Sequence, residues 1–428
     1  MAPAPLFADL EFRGLVHQVT DPGLAERMAA ERLTAYIGFD PTADSLHLGS
    51  LIPMLLLRRL QGAGHRPIAL AGGGTGLIGD PSGRETERAL LTEDEVRANV
   101  AGVRAQLEGI LDFSPGPGQA VLADNLDWLG SLGLIEFLRD VGKHFTVNQM
   151  IAKESVRSRL DEREQGISFT EFSYMLLQSY DFLHLFDAYG CRLQGGGSDQ
   201  WGNITLGIDL IRRSRGTEAF GLTSPLLLRP DGTKYGKSET GTVWLDPART
   251  SPYSLFQFLV RSEDAMVPKL LRWYTFLPPE RIAELDTAVA ERPEQRQAQR
   301  VLAREVTTLV HGEAEAVRAE RAASVLFTEE IASLDESSLL DVFSDAPSST
   351  RPRSALDGSG LLVSEALRDS GLVSSLSEAR KVIDQGGAYV NNRRAGGPEP
   401  RIAAADLISD RYVVLRRGKA NHHLLRFG

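Results

Sequence analysis

Five short stretches of the chain gather residue types that can do chemistry. In Tyr36–Ser50 an apolar run ends at Phe39, Asp40-Pro41-Thr42 makes a turn, and His47-Leu48-Gly49-Ser50 opens a helix. The free N–H groups of a helix N-terminus suit phosphate. His47 adds a donor there, and Gly49 lets a flat ring approach the backbone. Taken alone, the stretch is also simply a turn with a capped helix. Leu70–Arg84 runs an apolar segment into Gly72, Gly73, Gly74 and Gly76, then reaches Asp80, fixed by Pro81 and able to hold an ammonium group. Arg84 and Arg88 beyond it fit a phosphate or a solvated face equally well. In Ser168–Asp181, Tyr174, Gln178 and Asp181 fall at i, i+4 and i+7 and share one helix face. Met175, Leu176 and Leu177 leave that stripe few other orientations, and buried polar groups need partners, so a ligand pocket is favoured over a solvent face. Gln194–Asn203 repeats the pattern of apolar run and glycines (Gly195, Gly196, Gly197) before Asp199 and Gln200, which can bond a hydroxylated ligand such as ribose or an amino-acid backbone. Asp231–Gly241 places Lys234 and Lys237 in a glycine-hinged loop. Such a clamp stabilises charge when it closes on a transition state, although basic surface loops are common.

The elements that must position these groups alternate. Leu33–Phe39, Arg66–Gly72, Gln119–Asp124, Gly190–Gly195 and Leu222–Leu228 are short apolar runs bounded by turn residues and read as strands. Helical patterns cover Leu48–Gln61, Glu93–Leu111, Gly130–Val141, Phe169–Phe186 and Trp201–Arg213. Strands separated by helices predict an α/β fold with a parallel, Rossmann-like sheet, whose ligands bind beyond the carboxyl ends of the strands. After Pro252 only helical patterns follow, including Gln299–Leu326, so 251–343 is expected to be an all-helical domain. Ser344–Gly360 is rich in Ser, Pro and Gly and reads as a linker, bounded at 344–358. The expected divisions are thus 1–228, a lysine loop at 229–250, 251–343, the linker, and a small α+β module over 359–428.

Charge separates the same parts. The 428 residues carry a formal net charge of −10. Ser359–Gly428 holds eleven Lys and Arg against seven Asp and Glu, a net of +4, so the body is acidic and the tail basic. An all-over coat on nucleic acid is excluded; a compact basic module is a candidate footprint. One cysteine, Cys191, excludes an internal disulfide framework and any Cys-built metal site and suits a reducing compartment. Apolar stretches fall far short of the ~20 residues of a membrane helix, and the first residues show no secretory pattern. A cytoplasmic protein without a membrane anchor is expected.

Taken in order, the five stretches resemble the bacterial tyrosyl-tRNA synthetases, class I aminoacyl-tRNA synthetases, over essentially the whole chain. His47-Leu48-Gly49-Ser50 stands where that class has its HIGH signature, with Ser50 in place of the last histidine, and Lys234-Tyr235-Gly236-Lys237-Ser238 stands where it has KMSKS. GFDPTADSLHLG, GDPSG, SFTEFSYMLLQSYDF and GGSDQWGNIT are long and family-specific. The resemblance implies that tyrosine is activated by ATP and then transferred to the 3′ end of tRNA(Tyr). It assigns Tyr36 and Asp181 to the substrate phenol, and Tyr174, Gln178 and Asp80 to its ammonium group. Gly38, Asp40, Gly49, Gly197, Asp199 and Gln200 are placed around ATP and the adenylate ribose. Thr42 and His47 face the γ-phosphate, and Lys234 and Lys237 are the lysines of the mobile loop. Ile37 and Pro53 depart from polar or other residues of some relatives, so no ribose contact is carried to them.

The resemblance further implies Mg2+ accompanying ATP, no metal held by the protein alone, and a homodimer formed through the insertion at about 88–166. The tail resembles an S4-type RNA-binding domain through Leu372–Asn391: Ser375 and Glu378 cap a helix, Arg380 and Lys381 lie in its first turns, and Gly386 ends it. Arg417 and Lys419 follow the strand-like Tyr412–Arg416, and this basic face is expected to meet tRNA phosphates. A tryptophan-specific relative is disfavoured by the Tyr36–Asp181 pair and the S4-like tail. A non-catalytic RNA-binding descendant is disfavoured by intact His47, Asp80, Asp199, Lys234 and Lys237, and a dinucleotide enzyme by the lack of G-x-G-x-x-G after the first strand.

Overall fold

The structure, a computed structural model, describes residues 5–82, 90–153, 156–157, 167–228, 232–233, 235–238, 241–325, 328–344, 346–418 and 421–428. It forms two compact units: Met1–Arg249 with Glu263–Ala298, and Thr250–Ser262 with Gln299–Gly428. The helices of segment 251–343 are therefore shared between the units.

The first unit is built on a six-stranded sheet. Its strands are β1 (Gln18–Val19), β2 (Thr34–Phe39), β3 (Arg66–Ala71), β4 (Val121–Asp124), β5 (Cys191–Gly197) and β6 (Phe220–Ser224), in the order β1-β6-β5-β2-β3-β4. All neighbours are parallel except β1 against β6. Strands buried on both faces read as continuous apolar runs, which is why β2 and β3 were legible. The chain steps outward from β2 to β4, then returns to β5 on the other side of β2. That reversal leaves a crevice beyond the carboxyl ends of β2 and β5.

Helices fill the crossovers. Glu93–Ile110 starts in a capping box in which Thr92 and Glu95 exchange bonds, and buries Val96, Val100, Val103 and Leu107. Phe169–Tyr189 is capped by Ser168 and stopped by Gly190 in a left-handed conformation (φ 64°). Its residues Phe182, Leu183 and Leu185 join Tyr36, Ile68, Leu70, Leu210 and Ile211 in a buried cluster, so the candidate pocket rests on a dense core.

Three sequence readings are corrected, and β1 was not expected. The strand expected at Leu222–Leu228 lies at Phe220–Ser224, because Pro225 cannot donate to the ladder. β1 has two residues, too few to show a period. The helix expected over Gly130–Val141 is broken into Leu126–Leu129, Leu134–Glu136 and a π turn at Phe137–Val141, with Gly130 and Gly133 at the breaks. The pattern Gln299–Leu326 is two helices, Gln297–His311 and Glu313–Val325, divided at Gly312 (φ 89°).

In the second unit, Pro252–Val260 packs with Glu313–Val325 and Glu336–Val342. Beyond them lies a five-stranded sheet ordered Arg393–Arg394, Ala388–Val390, Tyr412–Arg417, Asn421–Phe427, Ser348–Arg351. Helices Val363–Asp369 and Leu376–Asp384 close a core with Val413, Leu415, Leu425 and Phe427. The expected linker is therefore partly folded: Ser348–Arg351 pairs in parallel with Asn421–Phe427, and Arg353–Leu356 forms a 3₁₀ turn. Its polar composition suits an edge strand, which buries little.

Candidate active site

A cavity of about 1030 Å³ opens beyond the carboxyl ends of the parallel strands. It brings together thirteen of the expected residues: Tyr36, Gly38, Asp40, Thr42, His47, Gly49, Asp80, Tyr174, Gln178, Asp181, Gly197, Asp199 and Gln200. Lys234 lies outside the described residues, as does the Lys237 side chain; the Lys237 backbone pairs with Thr242 in a two-residue ladder.

At the deep end, Tyr36 projects from β2 and is 1% exposed, and its hydroxyl has no hydrogen-bond partner among the described residues. The ring lies 5.3 Å from that of Phe182. Asp181, 2% exposed, accepts from Trp128 Nε1 at 2.7 Å and Asn125 Nδ2 at 2.9 Å. Burial pushes the Asp181 carboxyl up to about 7, against the pull of those two donors. The Tyr36 hydroxyl is raised well above its ordinary value, by burial first and then by the Asp181 charge. A buried unpartnered hydroxyl beside a carboxylate suits a ligand group that both donates and accepts, as a phenol does.

The pocket middle is tied together by side chains that sequence reasoning did not single out. Asn125 Nδ2 also reaches Thr75 Oγ1 at 3.0 Å, while its Oδ1 accepts from Gly74 N–H at 2.7 Å. Thr75 donates to Asp40 Oδ1 at 2.8 Å, and Tyr174 donates to Asp40 Oδ2 at the same distance. Tyr174 and Asp40, assigned separately by resemblance, are thus bonded to each other. A Cβ on Gly72 would lie 2.2 Å from Asp40 Oδ1, so the glycine run also serves this network.

A second set faces the crevice. Gln200 Nε2 donates to Asp80 Oδ2 at 2.7 Å, and Asn203 Nδ2 donates to Gln178 Oε1 at 3.0 Å and Gln200 Oε1 at 3.1 Å. Asp80 and Gln178 present acceptor oxygens, the chemistry an ammonium group needs. Nearer the mouth, His47 Nδ1 accepts from the Ser50 N–H at 3.2 Å. A Cβ on Gly49 would come within 2.9 Å of His47 Cε1, so the glycine makes room for the histidine ring as well as for any ligand. Asn125, Thr75 and Trp128 were missed because nothing local marks them: each takes its role from Asp181 or Asp40, far off in sequence.

In the tail, Ser375 accepts from the Glu378 N–H at 3.2 Å, and Arg380 and Lys381 are exposed on the helix so capped. Arg417 is half-buried, pairs with Glu378 at 2.9 Å and donates to Leu372 O at 2.7 Å. Lys419 lies outside the described residues. Arg393 and Arg394, exposed on the neighbouring hairpin, were not singled out.

Residues 28–328 match the family model of class I tRNA synthetases (W and Y), and residues 339–425 match that of the tyrosine–tRNA ligase SYY-like C-terminal domain. The chain is 54% identical to a tyrosine–tRNA ligase of Roseiflexus castenholzii over 98% of both chains. It is 49% identical to one of Geobacillus stearothermophilus over 99% of both. Among solved structures, it resembles a C-terminally truncated mitochondrial tyrosyl-tRNA synthetase of Aspergillus nidulans, with a TM-score of 0.69 and 32% identity over 76% of this chain and 95% of that one.

Proposed function

Because the chain belongs to the tyrosine–tRNA ligases of class I, we propose that the residues of the cavity divide the ligase reaction among themselves as follows. The substrate phenol sits between Tyr36 and Asp181, donating to the carboxylate and accepting from the Tyr36 hydroxyl. The observation that carries this assignment is the buried Tyr36 hydroxyl, which has no partner among the described residues. The ammonium group lies against Asp80 and Gln178, with Tyr174 behind it. This fixes the tyrosine carboxylate toward the mouth, where Gly38 offers open space above the backbone.

A carboxylate oxygen attacks the α-phosphorus of ATP; the bond to the bridging oxygen breaks, and pyrophosphate leaves with the electron pair. The α-phosphate stays on tyrosine as the adenylate, whose ribose faces Asp199 and Gln200. Positioning and charge stabilisation suffice for such a step, with no covalent nucleophile. Thr42 and His47 supply donors to the departing phosphates, and Lys234 and Lys237 add positive charge from the loop. The ribose hydroxyl at the tRNA 3′ end then attacks the tyrosyl carbonyl and AMP leaves. Mg2+ enters on the ATP phosphates as part of the substrate. Among the described residues no cluster of three or more His, Cys, Asp or Glu side chains stands ready to hold a metal.

Arg380, Lys381 and Arg417 are the tRNA contacts of the tail, joined by Lys419. The partner is a second copy of the chain: Leu134, Ile135, Leu138, Val147 and Phe169, all in or beside the insertion, are large apolar side chains left exposed. No helix among the described residues is long and apolar enough to cross a membrane, and a cytoplasmic location fits the reaction.

Ligand-dependent stability tests the phenol assignment, since a ligand that binds only the folded chain raises Tm by mass action. L-tyrosine at millimolar concentration is expected to raise Tm and L-phenylalanine to leave it unchanged. Equal shifts would contradict the assignment.

A further inference from the structure

The lysine loop returns to the body through Val243–Leu245, and this return segment meets the His47 turn in an isolated antiparallel bridge. Leu48 N–H donates to Val243 O and Leu245 N–H to Leu46 O, both at 2.9 Å. Trp244 sits at the centre of the contact, bridged to His47, with the two rings 6.5 Å apart. On the Trp244 ring rests Arg249, its guanidinium carbon 4.3 Å from the ring centre, and Arg249 Nε reaches Asp44 Oδ1 at 2.9 Å. Asp44 precedes the His47 turn and Arg249 follows the loop, so ion pair and stack tie the two segments from outside.

We infer that Asp44, Trp244 and Arg249 form a latch that holds the downstream end of the lysine loop on the His47 turn, making Trp244 and Arg249 positioning residues for phosphate-charge stabilisation. The inference rests on His47 and the loop acting on the ATP phosphates. Both partners of the ion pair are partly exposed, so the pair contributes little to global stability. A cation held over an indole face adds a directional contact that orients the ring. His47, a donor on a short turn, loses catalytic value with small displacements, and its misplacement costs rate without unfolding the chain.

Arg249→Met keeps the aliphatic stem and removes the charge. It is expected to lower kcat for tyrosine-dependent ATP–pyrophosphate exchange three- to tenfold, with KM for tyrosine and Tm unchanged. The conservative swap Arg249→Lys, which keeps a cation beside both the Trp244 ring and Asp44, should recover at least half of the loss. In a Trp244→Ala background, His47→Ala should cost little more, because the ring is already misplaced. The His47 imidazole 15N resonances, read in the full chain without substrate, should move in Arg249→Met; this readout needs no activity. Unmoved His47 resonances, a full-rate Arg249→Met enzyme, or losses that follow Tm and resist the swap would overturn the latch. Loss of tyrosine dependence in the unaltered chain, with the resonances still moving in Arg249→Met, would instead overturn the assignment of the site.

Discussion

Asp181 concentrates the conflict between stability and function in one side chain. Burial raises its pKa to about 7, so between the ordinary carboxylate range and neutrality the folded chain holds a proton that the unfolded chain has lost. Stability from this group is therefore fullest at low pH, falls as pH rises toward 7 and levels off above it. Asp181→Asn should abolish that part of the slope. The variant's Tm is expected to fall less than the parent's between pH 5 and pH 8, while tyrosine binding is lost; parallel Tm profiles would show that Asp181 is not the group responsible. Tyr36→Phe addresses the other half of the pair. It should remove the proposed buried hydrogen bond to the substrate phenol, worth ~1–3 kcal/mol, so kcat/KM for tyrosine should fall about 5- to 150-fold with the phenylalanine rate little changed. The residues of this pocket were legible where a local pattern carried them, as in the i, i+4, i+7 face of Tyr174, Gln178 and Asp181. Asn125 was not, because its meaning depends on Asp181, 56 residues away in sequence.

Among the elements, the helix Glu93–Ile110 braces the His47 turn from behind. Gln106 accepts from Leu46 N–H at 2.8 Å and donates to Ser45 Oγ at 2.9 Å. The approach is close enough that a Cβ on Gly102 would stand 2.0 Å from the Asp44 carbonyl oxygen. Gly102→Ala should therefore cost ~1–3 kcal/mol, seen as a lower urea midpoint, and should slow tyrosine activation by shifting the turn; an unchanged midpoint would mean the helix does not pack so tightly in solution. Periodicity showed this helix, expected over Glu93–Leu111 and observed over Glu93–Ile110. It could not show the Gly102 contact, which is a property of two surfaces. The polar edge strand Ser348–Arg351 escaped for a related reason: its pairing partner, Asn421–Phe427, lies some seventy residues downstream, and its own residues carry no apolar alternation.

At the scale of the whole molecule, one unit holds the cavity and the other the basic tail. Within the second unit, the tail is fastened to the helices before it: Asn392 Nδ2 donates to Thr328 O at 2.9 Å, and Tyr412 donates to Glu336 Oε1 at 2.6 Å. Truncation after Phe343 removes the tail together with its edge strand, whereas a cut at residue 360 would strand Ser348–Arg351 without a partner. The shorter chain is expected to keep tyrosine activation within about twofold and to lose most tRNA charging, with the remaining charging less salt-dependent; equal loss of both would contradict the separation of roles. Ile135→Asp should yield monomers in light scattering if the exposed apolar side chains of the insertion meet a second copy.

The proposed function stands on the pocket between Tyr36 and Asp181 selecting a phenol for activation by ATP. Exchange of pyrophosphate into ATP, with tyrosine, phenylalanine and tryptophan compared side by side and no tRNA present, tests it most directly. Exchange supported by tyrosine and by neither of the others is the predicted result. Comparable exchange with phenylalanine or tryptophan, or none with any of the three in a folded chain, would contradict it.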